Sequence, residues 1–310
     1  MNCLLTGASG FLGKYIFQKL SSGGYTVYTI GRNKDNSHRH TFADLAVTIP
    51  EIQDVLYEKV IHVAGKAHVF PKTKKQKEEQ YNANYLMTYH LVSALEKLSI
   101  LPAQVIFISS VAVYGLDSGV MINEDFPATP ATPYGKAKLD SEKLLSNWCK
   151  QKGIALLILR LPLIAGFDPP GNLGEMKTAI ARSRYLRIKN NFAKKSIVLA
   201  QDVADLVCFI DSRKEGTYHL TDRYHPSFSE IESAFEERTG KKIKFSISYS
   251  VIRFFAGIGN VFERLLKKDM PVNSLRLDKL TSELTFDDNK AVKDLNWQPG
   301  QALAFIKKMI

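Results

Sequence analysis

Tyr134 and Lys138, four positions apart in the chain, form a pair that is suited to acid–base chemistry. On a helix, positions i and i+4 share one face, so the two side chains would lie together. A free tyrosine has a pKa of about 10, and moving it to neutrality requires roughly 4 kcal/mol of preference for the phenolate. An adjacent ammonium supplies part of that preference, and a second bound cation would supply more. The pair therefore predicts a general acid and base that works near neutral pH.

Three glycines near the start of the chain form a second candidate site. Gly7, Gly10 and Gly13 follow a short apolar run and open a segment with helical spacing. In that context Gly7 permits a sharp turn, Gly10 lets a pyrophosphate approach the backbone, and Gly13 lets helix and sheet pack closely. The N-terminus of the helix would face the anion. This context favours a dinucleotide-binding loop over a tight strand-to-helix turn without a ligand.

Strand and helix patterns alternate through the first half of the chain, and these elements must position both candidate sites. Apolar and β-branched runs predict strands, and apolar residues at helical spacing predict helices. Strands that alternate with long helices form a parallel sheet covered on both faces. The predicted fold class is therefore α/β, a doubly wound parallel sheet of the Rossmann type. The predicted strands are Asn2–Thr6, Tyr25–Ile30, Val60–Val63, Val105–Ser109 and Ala155–Leu161. The predicted helices are Phe11–Leu20, Tyr81–Leu98 and Tyr134–Lys152.

The alternation ends near residue 161, where Leu161-Pro162 and a proline-rich loop follow. We therefore predict a dinucleotide-binding domain over residues 1–161. Residues 162–310 would form a smaller, mainly substrate-binding lobe, some segments of which return to the sheet. The elements predicted there are the helices Leu173–Ser183, Val203–Ser212, Ser229–Thr239 and Tyr249–Lys267 and the strands Ser196–Leu199 and Thr217–Leu220.

Composition sets the broad class of the protein. The chain has 310 residues, of which 45% are hydrophobic and 24% charged, and these values exclude a disordered or fibrous protein. Three widely spaced cysteines, Cys3, Cys149 and Cys208, argue against a disulfide framework and against a thiolate metal site. No signal peptide and no apolar stretch of membrane-spanning length are visible. We expect a cytoplasmic protein without a metal.

The net charge of +11 is unevenly distributed along the sequence. Between Glu175 and Asp202 there is no acidic residue, whereas seven lysines and arginines lie there. Such a block suits a phosphate-rich ligand, and the alternative is a solvated surface. Net charge alone does not choose among nucleic acid, an anionic membrane and a phosphate-bearing substrate.

Three motifs follow one another in the order found in a single enzyme family. They are the Gly-x-x-Gly-x-x-Gly spacing from Gly7, the serine motif Ser109-Ser110-Val111-Ala112-Val113-Tyr114-Gly115, and Tyr134-x-x-x-Lys138. Together they resemble the extended short-chain dehydrogenase/reductase family. The resemblance implies hydride transfer with a nicotinamide cofactor. In that reaction Ser110 would hold the reacting oxygen, Tyr134 would move the proton, and Lys138 would hold the nicotinamide ribose.

Further family positions extend the implied cofactor site. The segment after the third predicted strand resembles a cofactor-contacting loop, Asn84 with Thr88 matches a helix motif, and Asp44-Leu45 resembles the pair that contacts the adenine. His62 could equally be a hydrogen-bonded core histidine, and we assign it no catalytic role. With Tyr134 and Lys138, the implied cofactor-binding residues are Gly7, Ser9, Gly10, Phe11, Leu12, Gly13, Arg32, Asn33, Asp44, Leu45, Ala64, Gly65 and Asn84.

The end of the second strand bears on the choice of cofactor. Many NAD-binding proteins of this type carry an acidic residue there, which accepts hydrogen bonds from the ribose 2′-hydroxyl. Here the sequence has Arg32 and Asn33, and Asp35 comes later. The planar guanidinium of Arg32 could pair with a 2′-phosphate. We therefore expect NADP(H) in preference to NAD(H).

Segments of the second half resemble the nucleotide-sugar epimerases and 4-ketosugar reductases of the same family. They are Arg160–Gly166, Gly171–Leu173 and Ser196–Ala204. The resemblance implies a nucleotide-diphosphate sugar as substrate. Asn172 would contact its diphosphate or sugar, and Lys194 and Lys195 would neutralise its phosphates.

Two departures from the family patterns narrow the expected reaction. Dehydratases place an Asp-Glu pair where this chain has Val111-Ala112, so no acid and base stand ready to eliminate water, and we do not expect a 4,6-dehydratase. Epimerases often carry Asn where this chain has Leu163. Leu163 and Arg32 favour a 4-ketosugar reductase, and a 4-epimerase stays open.

Two other classes also stay open. A reductase of a steroid, flavonoid or lactone would have an apolar pocket in place of the basic block. A non-catalytic cofactor-sensing or nucleic-acid-binding protein on the same scaffold usually loses the tyrosine or the lysine, and this chain has both. We expect no nucleic-acid partner.

Apolar residues on the two long helices predict a homodimer that pairs these helices, although some of them must pack against the sheet. They are Leu86, Leu91, Leu95, Leu139, Leu144 and Trp148.

Val251–Lys268 has the pattern of a basic amphipathic helix. We expect its apolar face, with Phe255, Ile258 and Phe262, to pack on the second lobe. The alternative is peripheral contact with an anionic membrane.

Overall fold

Seven parallel strands form the central sheet of the structure, a computed structural model that describes residues 1–33, 37–67, 69, 71–254 and 274–308. The chain runs from β1 outward in both directions, which confirms the predicted doubly wound α/β fold. In spatial order the strands are β11 (Gly216–His219), β7 (Ala155–Leu161), β5 (Gln104–Ser110), β4 (Lys59–His62), β1 (Asn2–Thr6), β2 (Thr26–Gly31) and β3 (His40–Phe42).

Two long helices cover each face of this sheet. The helices α1 (Phe11–Ser22) and α5 (Ala200–Phe209) pack together on one face. The helices α2 (Lys74–Leu95) and α3 (Pro133–Lys152) pack together on the other. The sheet therefore separates two apolar cores.

Successive residues of β1 enter these two cores in turn. Cys3 and Leu5 are buried in the core beneath α1 and α5, whereas Leu4 is buried in the core beneath α2 and α3. Side chains alternate between the faces of a strand, so a continuous apolar run fits a strand that is covered on both sides. Cys149 and Cys208 are also buried, and none of the three cysteines forms a disulfide.

Capping residues decide where the long helices begin. At α2 the Thr73 side chain accepts from the backbone N–H of Gln76, and the Gln76 side chain accepts from the backbone N–H of Thr73. This capping box starts the helix at Lys74, although the apolar spacing predicts a start at Tyr81. At α3 the side chain of Thr132 caps the helix and proline occupies the first turn.

The rest of the chain forms short parallel strand pairs and further helices. The strand pairs are β6 (Gly119–Ile122) with β13 (Leu284–Phe286), β8 (Leu163–Ala165) with β10 (Ile197–Leu199), and β9 (Leu186–Ile188) with β12 (Phe245–Ile247). The helices are α4 (Gly171–Ala181), α6 (Phe228–Thr239), Ser274–Thr281, Asn289–Leu295 and Ala302–Lys308.

The predicted helix Tyr249–Lys267 is described only in part. Residues 249–254 are helical. Phe255, Ile258 and Phe262, on which its expected packing depends, lie outside the described residues. Within the described part of the chain, no helix has the length and apolar character needed to cross a membrane.

The buried side chain of Lys59 connects the sheet to the end of α5. It lies at the edge of the sheet opposite the glycine loop. The ammonium of Lys59, at the start of β4, donates to the carbonyls of Val207, Cys208 and Ile210 at 3.3, 3.0 and 2.7 Å. The last carbonyls of a helix have no partner within the helix, so Lys59 satisfies groups that burial would otherwise leave unpaired.

Lys59→Met is expected to destabilise the protein by about 1–3 kcal/mol, because buried carbonyls lose their donor while the apolar stem is retained. Urea unfolding measures the change. Lys214→Met is the matched control, since the Lys214 ammonium also donates to a backbone carbonyl, that of Asp294, but is exposed. An equal loss of stability in the two variants would contradict this role of Lys59.

Candidate active site

A cavity of about 570 Å³ lies along the carboxyl ends of the sheet strands. Open α/β sheets bind ligands at this edge, where the strand order reverses. The cavity brings together most of the residues that the sequence predicts for the site. Those lining it are Gly7, Ser9, Gly10, Phe11, Leu12, Gly13, Arg32, Asp44, Leu45, Ala64, Gly65, Ser110, Tyr134, Lys138 and Asn172.

The glycine loop forms one end of the cavity, and its close contacts leave no room for side chains. A Cβ on Gly13 would lie 1.9 Å from the carbonyl oxygen of Gly7. A Cβ on Gly7 would lie 2.7 Å from the backbone nitrogen of Ala64, and Gly7 has a φ of +74°. The start of α1 is thereby held against the ends of β1 and β4.

The N-terminus of α1 has the features of an anion site. Gly10 at its N-cap has no side chain to cap the helix, and the first turn carries no acidic residue. The first N–H groups of a helix have no partner within it, and Leu12 and Gly13 line the cavity. These donors and the absent side chains fit the diphosphate of a dinucleotide.

Ser110 and Tyr134 meet because α3 begins very close to the turn that follows β5. Ser110 ends β5, and its Oγ accepts from the N–H of Ala112 at 3.2 Å. A Cβ on Gly135 would lie 2.4 Å from the carbonyl oxygen of Ala112. Glycine at 135 therefore allows the first turn of α3 to place the Tyr134 side chain beside Ser110 in the cavity wall.

Lys138 is buried one helical turn after Tyr134. Its ammonium donates to the carbonyl of Ile108 at 2.8 Å and lies 4.5 Å from the centroid of the Phe107 ring. Burial lowers the pKa of Lys138 to about 8, and the negative charge of Glu142 opposes that shift. The pKa of Lys138 therefore lies only slightly above neutral pH, where the side chain still carries its charge.

The structure does not show the lowered tyrosine pKa that the sequence predicts. Burial raises the pKa of Tyr134 to about 12, and the hydrogen bond with Ser110 opposes the shift only in part. The Lys138 ammonium lies 6.0 Å from the centroid of the Tyr134 ring and is directed to the Ile108 carbonyl. In the protein alone, loss of hydration outweighs the attraction of this ammonium.

His62 and Asn84 support the site from behind the cavity wall. Burial lowers the pKa of His62 to about 3, so its ring is neutral and bonds Thr6 at 2.7 Å and Thr88 at 3.0 Å. His62 is thus a hydrogen-bonded core histidine. The side chain of Asn84 accepts from the N–H of Lys66 at 2.7 Å, which holds the loop containing Gly65. Asn84 does not line the cavity.

At the other end of the cavity, Arg32 and Asp44 lie close together. Their nearest nitrogen and oxygen are 4.0 Å apart, and the Arg32 side chain is 74% exposed. The carbonyl of Asn33 accepts from the ring of His40 at 2.8 Å, and Asn33 is not part of the lining. Asp35 lies outside the described residues.

Lys194 and Lys195 do not reach the cavity. Lys194 is exposed, whereas Lys195 is buried and its ammonium donates to the carbonyl of Lys279 at 3.0 Å. Burial lowers the pKa of Lys195 to about 8. The two lysines therefore do not lie where the sequence pattern places them, because the backbone before β10 pairs with Ser227 and Leu284.

The sequence pattern did not identify the buried ion pair of Glu142 on α3 with Arg160 on β7, in which Arg160 Nη2 and Glu142 Oε2 are 2.7 Å apart. The only local signal was the i+4 spacing from Lys138 to Glu142, and the contact with Arg160 joins two elements. Within the described residues, no group of three or more His, Cys, Asp or Glu side chains is placed to hold a metal ion.

Comparisons with known proteins agree with this geometry. The sequence profile of the NAD dependent epimerase/dehydratase family matches residues 3–216. The UDP-glucose 4-epimerase of Azospirillum brasilense is 30% identical over 184 residues, which are 56% of this chain and 51% of that protein. The chain thus spans about half the length of that relative.

Two further proteins are similar over nearly their whole length. The N-acetyl-alpha-D-glucosaminyl-diphospho-ditrans,octacis-undecaprenol 4-epimerase of Escherichia coli O157:H7 is 24% identical over 93% of this chain and 88% of that protein. The structure of the Thermus thermophilus UDP-glucose 4-epimerase in complex with NAD matches with a TM-score of 0.71, 18% identity and 100% coverage of both chains. At that identity the structural match establishes the shared fold.

Gly13→Ala is expected to weaken nicotinamide dinucleotide binding at least tenfold, because the new Cβ would push α1 away from the loop. Titration with the reduced cofactor, followed by its fluorescence, measures the dissociation constant. Gly153→Ala is the control, since that glycine has a φ of +68° and nothing within 4 Å of an added Cβ. Its strain costs stability far from the cavity, so an equal loss of affinity in both variants would refute the packing argument.

Proposed function

The chain belongs to the NAD dependent epimerase/dehydratase family, and on that premise we propose that it transfers a hydride at C4 of a nucleotide-diphosphate sugar. The observation that carries the proposal is one cavity that joins the glycine loop to Ser110, Tyr134 and Lys138. A bound nicotinamide dinucleotide would supply the hydride acceptor or donor and, when oxidised, a positive charge. The glycine loop and the N-terminus of α1 would hold its diphosphate.

The three polar side chains have separate roles in this proposal. The hydroxyl of Ser110 holds the oxygen on C4 of the sugar, and the hydroxyl of Tyr134 accepts or donates the proton on that oxygen. Lys138 binds the nicotinamide ribose and stabilises the phenolate form of Tyr134. Because burial raises the pKa of Tyr134 to about 12, the proton moves readily only when further positive charge is present.

The cavity wall supports hydride transfer over elimination of water. Among the described residues that line the cavity, Asp44 alone is acidic, and it lies at the Arg32 end. Val111 and Ala112, where dehydratases carry an acid and a base, form a 3₁₀ turn after Ser110. A 4,6-dehydratase is therefore not proposed, and the two reactions that remain are 4-epimerisation and reduction of a 4-keto sugar.

Asn172, at the start of α4, is the polar group that we propose for the diphosphate or the sugar, since it lines the cavity. A second candidate function is reduction of a non-sugar carbonyl compound. It is favoured by the apolar wall of Leu161, Pro162 and Leu163, and by the position of the predicted phosphate-binding lysines outside the cavity.

For the cofactor we propose a preference for NADP(H) over NAD(H). The exposed guanidinium of Arg32 follows β2 and lines the cavity, in a position to pair with a 2′-phosphate. The carboxylate of Asp44, 4.0 Å away, partly neutralises it.

We also propose a cytoplasmic homodimer. The three cysteines are free, which suits a reducing compartment.

Leu91, Leu95 and Trp148 are buried in the chain's own core, so they do not supply the dimer interface predicted from them. The support comes instead from Leu86 and Leu144, two of the other apolar residues predicted for the interface, which are only half-buried on α2 and α3. Light scattering would give twice the mass of 34.8 kDa for a dimer and the single mass for a monomer.

Tyr134→Phe is expected to lower turnover by on the order of a hundredfold or more and to leave cofactor affinity nearly unchanged, because only the proton transfer is lost. The assay uses UDP-glucose, UDP-galactose and UDP-N-acetylglucosamine with each nicotinamide cofactor, and it follows nicotinamide absorbance and the product sugar. Tyr89→Phe is the control. Full turnover in Tyr134→Phe would exclude the assigned role, and wild-type activity only on a steroid or lactone would favour the second candidate.

Arg32→Gln is expected to weaken the affinity for NADP(H) at least tenfold and to change that for NAD(H) less, since only the former carries the 2′-phosphate. Cofactor fluorescence titration measures both constants. Equal effects on the two cofactors would contradict the proposed preference.

A further inference from the structure

Behind Ser110 and Lys138, a buried carboxylate joins three elements of the site. Glu142 lies on α3, one helical turn after Lys138 and two turns after Tyr134. It is 4% exposed, and its partner Arg160 on β7 is 9% exposed. Tyr134, Lys138 and Glu142 thus form a row along one face of the helix.

Both oxygens of this carboxylate have fixed partners. Oε2 accepts from Arg160 Nη2 at 2.7 Å, and Oε1 accepts from Arg160 Nε at 3.1 Å and from Ser109 Oγ at 2.5 Å. Arg160 also donates to the hydroxyl of Tyr114 at 2.7 Å. Because Ser109 immediately precedes Ser110, these bonds tie the strand that carries the reactive serine to the helix that carries the reactive tyrosine.

Glu142 is also the carboxylate that acts on Lys138. On the β4 side lies the ring of His62, which is neutral. Toward β5, Lys138 donates to the carbonyl of Ile108 and lies over the ring of Phe107. On α3 the neighbouring groups are Tyr134 and Glu142, and Glu142 supplies the charge that opposes loss of the lysine proton. Arg160 forms an ion pair with this carboxylate, with Nη2 and Oε2 2.7 Å apart.

From α2 the side chains of Asn84 and Thr88 lie next to this group, and both are uncharged. Asn84 Oδ1 and Lys138 Nζ would lie 3.4 and 3.5 Å from a Cβ on Gly65. Thr88 donates to Ser141 on α3 at 2.9 Å. Thus, among the described groups packed around Lys138, Glu142 supplies the negative charge.

We propose that Glu142 is a positioning residue for the reaction: it keeps the Lys138 side chain in its ammonium form and, through Ser109, fixes Ser110 relative to Tyr134. The assignment rests on the proposed function of the site. If Glu142 had only a structural role, it would stabilise the fold and have no effect on the protonation of Lys138. Measuring that protonation therefore distinguishes a structural role from a positioning role.

Glu142→Gln tests the first part of the proposal, because the amide keeps the shape and removes the charge. Without that charge the neutral amine of Lys138 is favoured, and its proton is lost at lower pH. Carbon-13 NMR of lysine-labelled protein follows the titration, with the Lys138 signal assigned from its absence in Lys138→Met. The expected result is a midpoint lower by on the order of one pH unit, with the alkaline limb of kcat moving equally.

Glu232→Gln is the matched control. Glu232 is also buried between an arginine and a hydroxyl, since it accepts from Arg187 at 2.7 Å and from Tyr185 at 3.0 Å, but it lies on α6 outside the cavity. The Glu232→Gln variant is expected to lose stability as Glu142→Gln does and to leave the titration midpoint of Lys138 unchanged. An unchanged Lys138 midpoint in Glu142→Gln would overturn the proposal. The NMR measurement needs no substrate, so its outcome stands even if the protein acts on no nucleotide sugar.

Ser109→Ala tests the second part and keeps the Glu142–Arg160 ion pair, so it remains informative if Glu142→Gln does not fold. Loss of the tie between β5 and α3 is expected to lower kcat at least severalfold, with KM and the Lys138 titration unchanged. A kcat equal to that of the wild type would overturn this part.

Discussion

The close approach of α1 to the end of β1 is the constraint on which the site depends. It is possible because positions 7 and 13 have no side chains, and a Cβ at position 13 would lie 1.9 Å from the Gly7 carbonyl oxygen. This contact places the free N–H groups of a helix at the carboxyl edge of the sheet, where β4, β5 and β7 also end. The other residues of the site are held at this edge of the sheet by the strands and helices to which they belong.

Burial at this edge has an electrostatic cost. Loss of hydration raises the pKa of Tyr134 to about 12 and lowers that of Lys138 to about 8, so both groups are shifted toward their uncharged forms. Acid–base chemistry near neutral pH therefore requires compensating charges and hydrogen bonds. The fold supplies the hydroxyl of Ser110 and the carboxylate of Glu142, and an oxidised nicotinamide would add positive charge beside the tyrosine.

The sequence predicted the parts of the fold that depend on local patterns. β1 and β7 have the predicted bounds, because each is a continuous apolar run of the kind typical of a strand buried on both faces. Of the six strands that pair outside the central sheet, β10 was predicted, as Ser196–Leu199, whereas the other five and the pairings were not. Such short segments have no period and pair with distant parts of the chain. α2 begins in two polar turns that a cap defines and that apolar spacing does not detect.

The same distinction applies to the site. The glycine loop, Ser110 and the Tyr134–Lys138 pair are local motifs, and the cavity brings them together. The direction of Lys195 and the ion pair of Glu142 with Arg160 depend on tertiary packing, which one sequence does not reveal. For the same reason the raised pKa of Tyr134 could not be foreseen, because spacing indicates the neighbouring ammonium but not the loss of water.

In the proposed reaction a hydride leaves or reaches C4 of the sugar, and Tyr134 transfers only the proton on the oxygen. A nucleotide sugar that carries deuterium at C4, incubated with the protein and oxidised cofactor, tests this directly. We expect the deuterium to be recovered at C4 of the product sugar or on the nicotinamide ring, with none released to solvent. Appearance of the C4 deuterium in water as the sugar turns over would contradict hydride transfer and the assignment of the site.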